Sequence, residues 1–422
     1  MKYGNDLAMA IGRTCGFTRA RLRSAALAAL LATGLCGGAA QAQKLSDGAI
    51  RIGFLTDMSS VYSDLDGSAG AIAIQMAIDD FKAKNPGIAI ELLSADHQNK
   101  ADIAASKARE WFDQKGMDVL IGGTNSGASL AMKSVAAEKK KPFIAIGAGT
   151  SKLTNEECTP YTVHYAYDTI ALANVTGGAV VRAGGKNWFF LTADYAFGQS
   201  LEKDTSAVVT ANGGKVLGAI RHPLNASDFS SFMLQAQSSG AQILGLANAG
   251  GDTINAIKAA NEFGVTNSMK LVGLLMFNTD IHTLGLPATK GMYMTDGWTW
   301  NQSAESRAWA KRFFEKVKRM PSMVQAGDYS ATTQYLEAVK AVGTDDGDAV
   351  MAQLKKARIN DMFAQGGYIR ADGRMIHDMR LVQVKSPQES TEPWDYVKLV
   401  EIVPGEKAYQ SLADSKCPLI KK

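Results

Sequence analysis

The chain is poor in the residues that most chemistry needs. It has four cysteines and five histidines in 422 residues. His97, His164, His222, His282 and His377 form no metal-spaced pair, and no H-E-x-x-H occurs, so no metal centre is expected. The G-x-S-x-G elbow of secreted hydrolases is missing as well. Gly122–Ser129 superficially resembles a phosphate loop, but Ala128 stands where the phosphate-reaching lysine belongs. Gly147-Ala-Gly149 has Lys152 in place of a third glycine. Neither loop supports a nucleotide, and no cofactor is expected. Charge of one sign is also lacking. The first 42 residues hold Lys2, Arg13, Arg19, Arg21 and Arg23 against Asp6, and the rest balances 40 basic with 40 acidic residues. That balance gives no argument for nucleic acid.

What is present begins with an export pattern. Arg19, Arg21 and Arg23 precede an apolar run, Ala25–Leu35, that is too short to span a bilayer. Ala40-Gln41-Ala42 then offers an A-x-A cleavage site. Residues 1–42 are read as a signal peptide cleaved after Ala42, leaving a soluble periplasmic protein from Gln43. Leu35 before Cys36 argues against a lipobox. No later stretch is long and apolar enough for a membrane helix. Cys158 and Cys417 remain, an even count in an exported chain, and a disulfide between them is expected.

The remainder alternates short apolar runs with helical patterns. Ile50–Thr56, Ile88–Leu93, Val119–Ile121 and Phe143–Ile146 read as strands, and Ile74, Ile78 and Phe81 mark the first helix between them. The rhythm restarts with Asn187–Thr192, Lys215–Ile220, Ile243–Ala247 and Lys270–Leu275. Strands alternating with helices imply parallel sheets covered on both faces. The expected fold class is α/β, with two doubly wound lobes. The last third adds helices over Ala304–Lys318, Gln334–Ala341 and Ala349–Lys356. Strands then follow over Leu381–Val384 and Val397–Ile402.

Open α/β sheets bind ligands at the carboxyl ends of their strands. Ser126 and Gly127 open a helix after one such strand, where free N–H groups and the positive dipole end suit an anion. With no lysine present, a carboxylate fits better than a phosphate. Ala148 and Thr150 follow the next strand. In the second lobe Tyr167, Tyr195 and Phe197 stand where aromatic side chains can face the cleft.

The order and spacing of Ile52-Gly-Phe-Leu-Thr-Asp-Met-Ser59, Gly70-Ala71, Ile121-Gly-Gly, Pro142-Phe-Ile-Ala-Ile, Asp194-Tyr-Ala-Phe-Gly and Asn248-Ala-Gly-Gly-Asp are similar to those of one family. They resemble the periplasmic solute-binding proteins of branched-chain amino acid ABC importers, the type I periplasmic binding proteins, over residues 44–422. The resemblance implies two lobes joined by a three-strand hinge, 43–166 plus 299–362 and 167–298 plus 363–422. It implies a ligand carboxylate held by Ser126, Gly127, Ala148 and Thr150, with Phe197 packing on the ligand and Asn248 nearby. Leu275 aligns with the acid that pairs a ligand ammonium in the family's amino-acid binders, and Phe277 follows it. Asp252 or Asp194 could supply that charge instead.

The expected function is therefore non-enzymatic. A monomer would bind a small carboxylate, amino-acid-like or aromatic or aliphatic, between its lobes and deliver it to ABC permease subunits of the inner membrane. Two other readings are weighed: an amide or amino-acid receptor that signals rather than transports, and a secreted α/β hydrolase.

Overall fold

The central strands of the parallel sheets are apolar and buried along their length because helices cover both faces there. The computed structural model describes residues 45–421. The signal peptide, its cleavage after Ala42 and Cys36 lie outside the described residues.

The first lobe opens with β1 (Ala49–Thr56), α1 (Gly67–Lys84), β2 (Ala89–Asp96), α2 (Ala101–Gln114), β3 (Val119–Gly122), α3 (Ser126–Glu138), β4 (Phe143–Ala145) and β5 (Thr162–His164). These strands form one parallel sheet in the order β2-β1-β3-β4-β5. Every residue of β3 and β4 is buried, whereas the edge strand β2 is only partly so.

The second lobe starts with α4 (Thr169–Leu172), α5 (Gly178–Arg182), β6 (Asn187–Ala193), α6 (Ala196–Ala211), β7 (Lys215–His222), α7 (Ser230–Ser238), β8 (Ile243–Ala247), α8 (Gly251–Glu262) and β9 (Lys270–Gly273). Its parallel order is β7-β6-β8-β9. Then α9 (Asn278–Leu284) and α10 (Leu286–Thr289) lead to β10 (Tyr293–Asp296).

The chain next returns to the first lobe with α11 (Ala304–Val317), α12 (Met323–Val342) and α13 (Gly347–Lys356). Helix α12 packs along α1. It begins eleven residues before the stretch expected from periodicity, because Ser322 and Gln325 form a capping box there. A small antiparallel sheet follows: β11 (Arg358–Ile359), β12 (Gly367–Ile369) and β13 (Met375–Ile376). Finally β14 (Met379–Val384) pairs antiparallel with β10, β15 (Val397–Val403) pairs antiparallel with β14, and α14 (Gly405–Ala408) leads into the tail. These are two doubly wound lobes, as the alternation implied.

The hairpin of β12 and β13 is tied to β5, where the His164 amide donates to the Gly373 carbonyl at 2.9 Å. Fully buried Arg374 pins the joint, donating to the carbonyls of Tyr165 and Tyr167 on the first crossover. Asp168 stands 3.6 Å away as its counter-charge, and the Tyr409 ring lies 4.5 Å from the guanidinium.

Cys158 and Cys417 are disulfide-bonded, with Cα atoms 5.5 Å apart. The bridge and the Lys416 amide, which donates to Asn155 Oδ1 at 2.9 Å, fasten the tail to the first lobe. Among the described residues no helix is long and apolar enough to cross a membrane.

Candidate functional site

Parallel strands aim their carboxyl ends at the space between the lobes, so the loops there form its walls. From the first lobe come Tyr62 and Leu65 after β1, Thr124 after β3 and Gly147 after β4. From the second come Tyr195 and Phe197 after β6, Ala249 after β8 and Leu275 after β9, with Tyr167 on the crossover. They enclose a cavity of about 10 Å³, the room of roughly one water.

The walls meet because the cleft is drawn shut. The hydroxyls of Tyr62 and Tyr195 hydrogen-bond across it. The Gly251 amide donates to the Val61 carbonyl at 2.9 Å. Thr150 Oγ1 and Ser200 Oγ lie 2.8 Å apart, and Ser151 donates to Asp204 at 2.9 Å. A Cβ on Gly149 would stand 2.7 Å from the Phe197 ring, so glycine is required for this approach.

The residues from which an anion-binding end is expected are linked to one another by hydrogen bonds. Asn125 Oδ1 accepts from the Ala128 amide at 3.0 Å and caps α3. Ser126 Oγ accepts from the amides of Gly149 and Thr150, at 3.2 and 3.1 Å. The two carbonyls upstream are held from behind, Gly147 by the Tyr167 hydroxyl and Ala148 by His164 Nε2, both at 2.6 Å. Burial, with the Arg374 charge nearby, lowers the His164 pKa well below the usual imidazole range and keeps the ring neutral. Ser126, Ala148, Gly149 and Thr150 thus form one group beside the cavity, tied by the two amide bonds to Ser126 and the contact of Thr150 with Ser200. Gly127 sits half-buried in the first turn of α3.

Among the remaining sequence candidates, Tyr167, Tyr195, Phe197 and Leu275 line the cavity. Phe277 stands behind Tyr167, edge-on with ring centroids 6.5 Å apart. Asn248 is turned away: its side chain meets His222 Nε2 at 3.0 Å and accepts from Thr253 at 2.7 Å. Tyr62, Leu65, Thr124, Gly147 and Ala249 were not singled out from sequence. Extending the strand-end rule to β1 and β8 would have reached Tyr62 and Ala249, since both lie in the loops that follow those strands.

No ionised side chain lines the cavity. The two nearest carboxylates hold loops. Asp57 accepts from the amides of Ser60 and Tyr62, at 3.0 and 2.9 Å, and from Asn99 at 2.8 Å, which positions Tyr62. Asp252 accepts from the amides of Asn225 and Ala226, both at 3.1 Å, and burial pushes its carboxyl up to about 6. Asp194 is exposed beside Arg221, 3.5 Å away. Burial also raises the phenols of Tyr62, Tyr167 and Tyr195, so all three are neutral.

A carboxyl pair lies behind the first-lobe wall. Thr56 Oγ1 lies 3.0 Å from Thr124 Oγ1 and donates to Asp66 Oδ2 at 2.5 Å. Asp66 in turn faces Asp328 of α12, both fully buried. Gly70 makes room: a Cβ there would lie 2.9 Å from Asp328 Oδ2. Burial raises both carboxyls, and the neighbouring Asp66 charge raises Asp328 further.

The chain matches the periplasmic binding protein family over residues 49–390. A crystal structure of a periplasmic binding protein from Burkholderia mallei is 64% identical, covers 89% of this chain and 100% of its own, and superposes with a TM-score of 0.88. A branched-chain amino acid ABC transporter periplasmic ligand-binding protein from Burkholderia xenovorans is 37% identical, with coverage of 88% and 99% and a TM-score of 0.78. A Rhodopseudomonas palustris ABC transporter solute-binding protein solved with benzoate, 22% identical with coverage of 88% and 100%, shares the fold at a TM-score of 0.78. The chain spans about half the length of the curated relatives it matches. Among these, a Leu/Ile/Val-binding protein homologue of Brucella melitensis is 28% identical over 214 residues, 46% of this chain and 53% of that one. Family and fold neighbours are binding proteins rather than enzymes, and on this evidence the chain belongs to the periplasmic binding protein family, type I fold, beside the ligand-binding proteins of branched-chain amino acid ABC transporters.

Proposed function

We propose that this protein binds a small monocarboxylate without an α-amino group, aromatic or branched aliphatic, between its lobes and presents it to an ABC permease. The observation that carries this reading is the cavity wall of Tyr62, Tyr167, Tyr195, Phe197 and Leu275 with no ionised side chain in it. A zwitterionic ligand would leave its ammonium against Leu275. An unpaired buried charge costs several kcal/mol. Asp57 and Asp252 hold main-chain amides of their own loops, and neither lines the cavity.

The carboxylate would be received by hydroxyls and amides rather than by a cation. Opening the lobes separates Thr150 from Ser200 and Tyr62 from Tyr195, which frees donors on the first-lobe wall. The Thr150 and Tyr62 hydroxyls then face the incoming carboxylate, Ser126 turns from the Gly149 and Thr150 amides as the carboxylate takes its place, and the rings close over the ligand body. The Rhodopseudomonas protein solved with benzoate supports the reading only to the extent that this fold accommodates such an acid.

A thermal-shift panel tests it. Benzoate-type and short branched-chain acids should stabilise the protein by mass action, about 2.7 kcal/mol at a hundred times the dissociation constant. Stabilisation by leucine, isoleucine or valine, with none by the acids, would refute the reading and favour an amino-acid ligand.

A further inference from the structure

The second lobe carries a far larger cavity at the other end of its sheet, about 590 Å³ against about 10 Å³ in the cleft. It is lined where strands begin rather than where they end. Gly185 precedes β6, Ile243 opens β8, Lys270 opens β9 and Tyr293 opens β10. It therefore lies at the amino ends of the strands, away from the inter-lobe cleft.

The cavity exists because two sheet edges face each other without a ladder. Strand β9 ends the parallel sheet and β10 ends the antiparallel one. The Lys270 amide donates to the Gln242 carbonyl at 2.8 Å, on the β8 side. By strand alternation, Leu271 turns its own main chain toward the groove. The floor is apolar: Val180, Ile243, Met269, Val272 and Met292 are each less than 9% exposed. Two methionines in such a floor adapt to guests of varied shape.

The rim carries charge of one sign. Lys270 and Lys290 are both exposed, and no carboxylate is among the lining residues. Neither lysine is among those that form ion pairs in the described residues. A recessed apolar floor of ligand-pocket volume beneath two unpaired cations is complementary to one chemistry, an apolar body with an anionic head. A flat membrane surface would meet the rim and not the floor.

We propose that this groove is a second binding site, separate from the cleft, for a single-headed anionic amphiphile such as a medium-chain carboxylate. The chain lies over Met269 and Met292, and the head group is held at Lys270 and Lys290. The site is independent of the ligand read for the cleft.

The test uses the whole mature protein labelled with ¹³C at its methionine methyls, titrated with monomeric decanoate. The methyls of Met269 and Met292 should shift saturably, while that of Met76, buried in the first lobe, should not. The double variant Lys270→Glu, Lys290→Glu should weaken binding at least tenfold. Ala288→Trp, which fills the groove from a half-buried position, should abolish the shifts. Decylammonium should produce none, and saturating benzoate should not compete. Absence of the two methyl shifts would overturn the proposal. So would equal shifts with decylammonium, or undiminished binding in the lysine double variant. Co-flotation with phosphatidylglycerol vesicles without a response to monomeric decanoate would assign the lysines to a membrane surface instead, and would overturn it too.

Discussion

The two walls of the cleft are built from different materials. The first-lobe wall sets the Tyr62 ring and Leu65 beside Thr124 and Gly147, and the hydroxyls and main chain of Ser126 and Thr150 lie next to it, backed by the buried carboxyls of Asp57, Asp66 and Asp328. The second-lobe wall is aromatic and aliphatic, with Tyr195, Phe197, Ala249 and Leu275. Most of the oriented dipoles therefore lie on the first-lobe side, so a ligand with one polar end has one orientation in which they are used. The difference also explains why the charges near the cleft stay silent: each carboxylate is committed to a loop amide or to another carboxyl.

The comparison depends on each wall riding on an intact lobe, and the largest expected effect concerns that support. Cys158→Ser should destabilise the protein by up to about 4–5 kcal/mol in the chain-entropy account, because the bridge closes a 259-residue loop. Denaturant unfolding of the variant and the parent measures it, and equal midpoints would refute it.

On the polar wall, Thr150→Ala should weaken binding of a carboxylate by about 1.5–3 kcal/mol, the worth of a hydrogen bond to a charged group. Calorimetric titration decides this, and an unchanged affinity would remove Thr150 from the site. The carboxyl pair behind that wall gives a pH signature. Asp66 and Asp328 are raised above the usual carboxylate value of 3.8, so the folded state holds protons that the unfolded state releases. Their contribution is complete below about pH 4 and is lost as pH rises through the raised values. Asp328→Asn, which keeps the shape and the donor but cannot ionise, should flatten the decline of stability toward alkaline pH. A profile unchanged from that of the parent would contradict the pairing.

The smallest effect belongs to the contact between the walls. Tyr62→Phe removes one hydroxyl of the bond to Tyr195 and should shift the lobes toward opening by about 0.5–1.5 kcal/mol. Inter-lobe distances from spin labels in the ligand-free protein would report it, and an unaltered distribution would show that the bond does not hold the cleft shut.

The fold was legible because its strands are continuous apolar runs and its helices keep helical spacing, with few competing signals. The aromatic half of the site was legible for a related reason: Tyr195 and Phe197 follow a clear strand, and a strand end in such a sheet points into the cleft. The loop after β1 was harder. Tyr62 lies six residues beyond Thr56, and only the Asp57 side chain, by holding the Tyr62 amide, turns it into the cleft. Pairing of that kind leaves no periodic trace in sequence. Asn248 shows the opposite failure. Its position at a strand end suggested the site, but His222 and Thr253, distant or offset along the chain, take its side chain. The contact of the β12–β13 hairpin with β5 was not legible either, because it rests on a short bridge at Gly373 and Arg374 far along the chain from His164.

The proposed ligand class turns on the α-ammonium, because no ionised side chain lines the cavity. Leucine and 4-methylpentanoate differ only in that group, so isothermal calorimetry of the two against the mature protein isolates it. The account predicts that 4-methylpentanoate binds more tightly, by about a hundredfold or more if the unpaired ammonium costs about 3 kcal/mol. Tighter binding of leucine would contradict it, and would mean that Asp57 or Asp252 leaves its loop to meet the ligand.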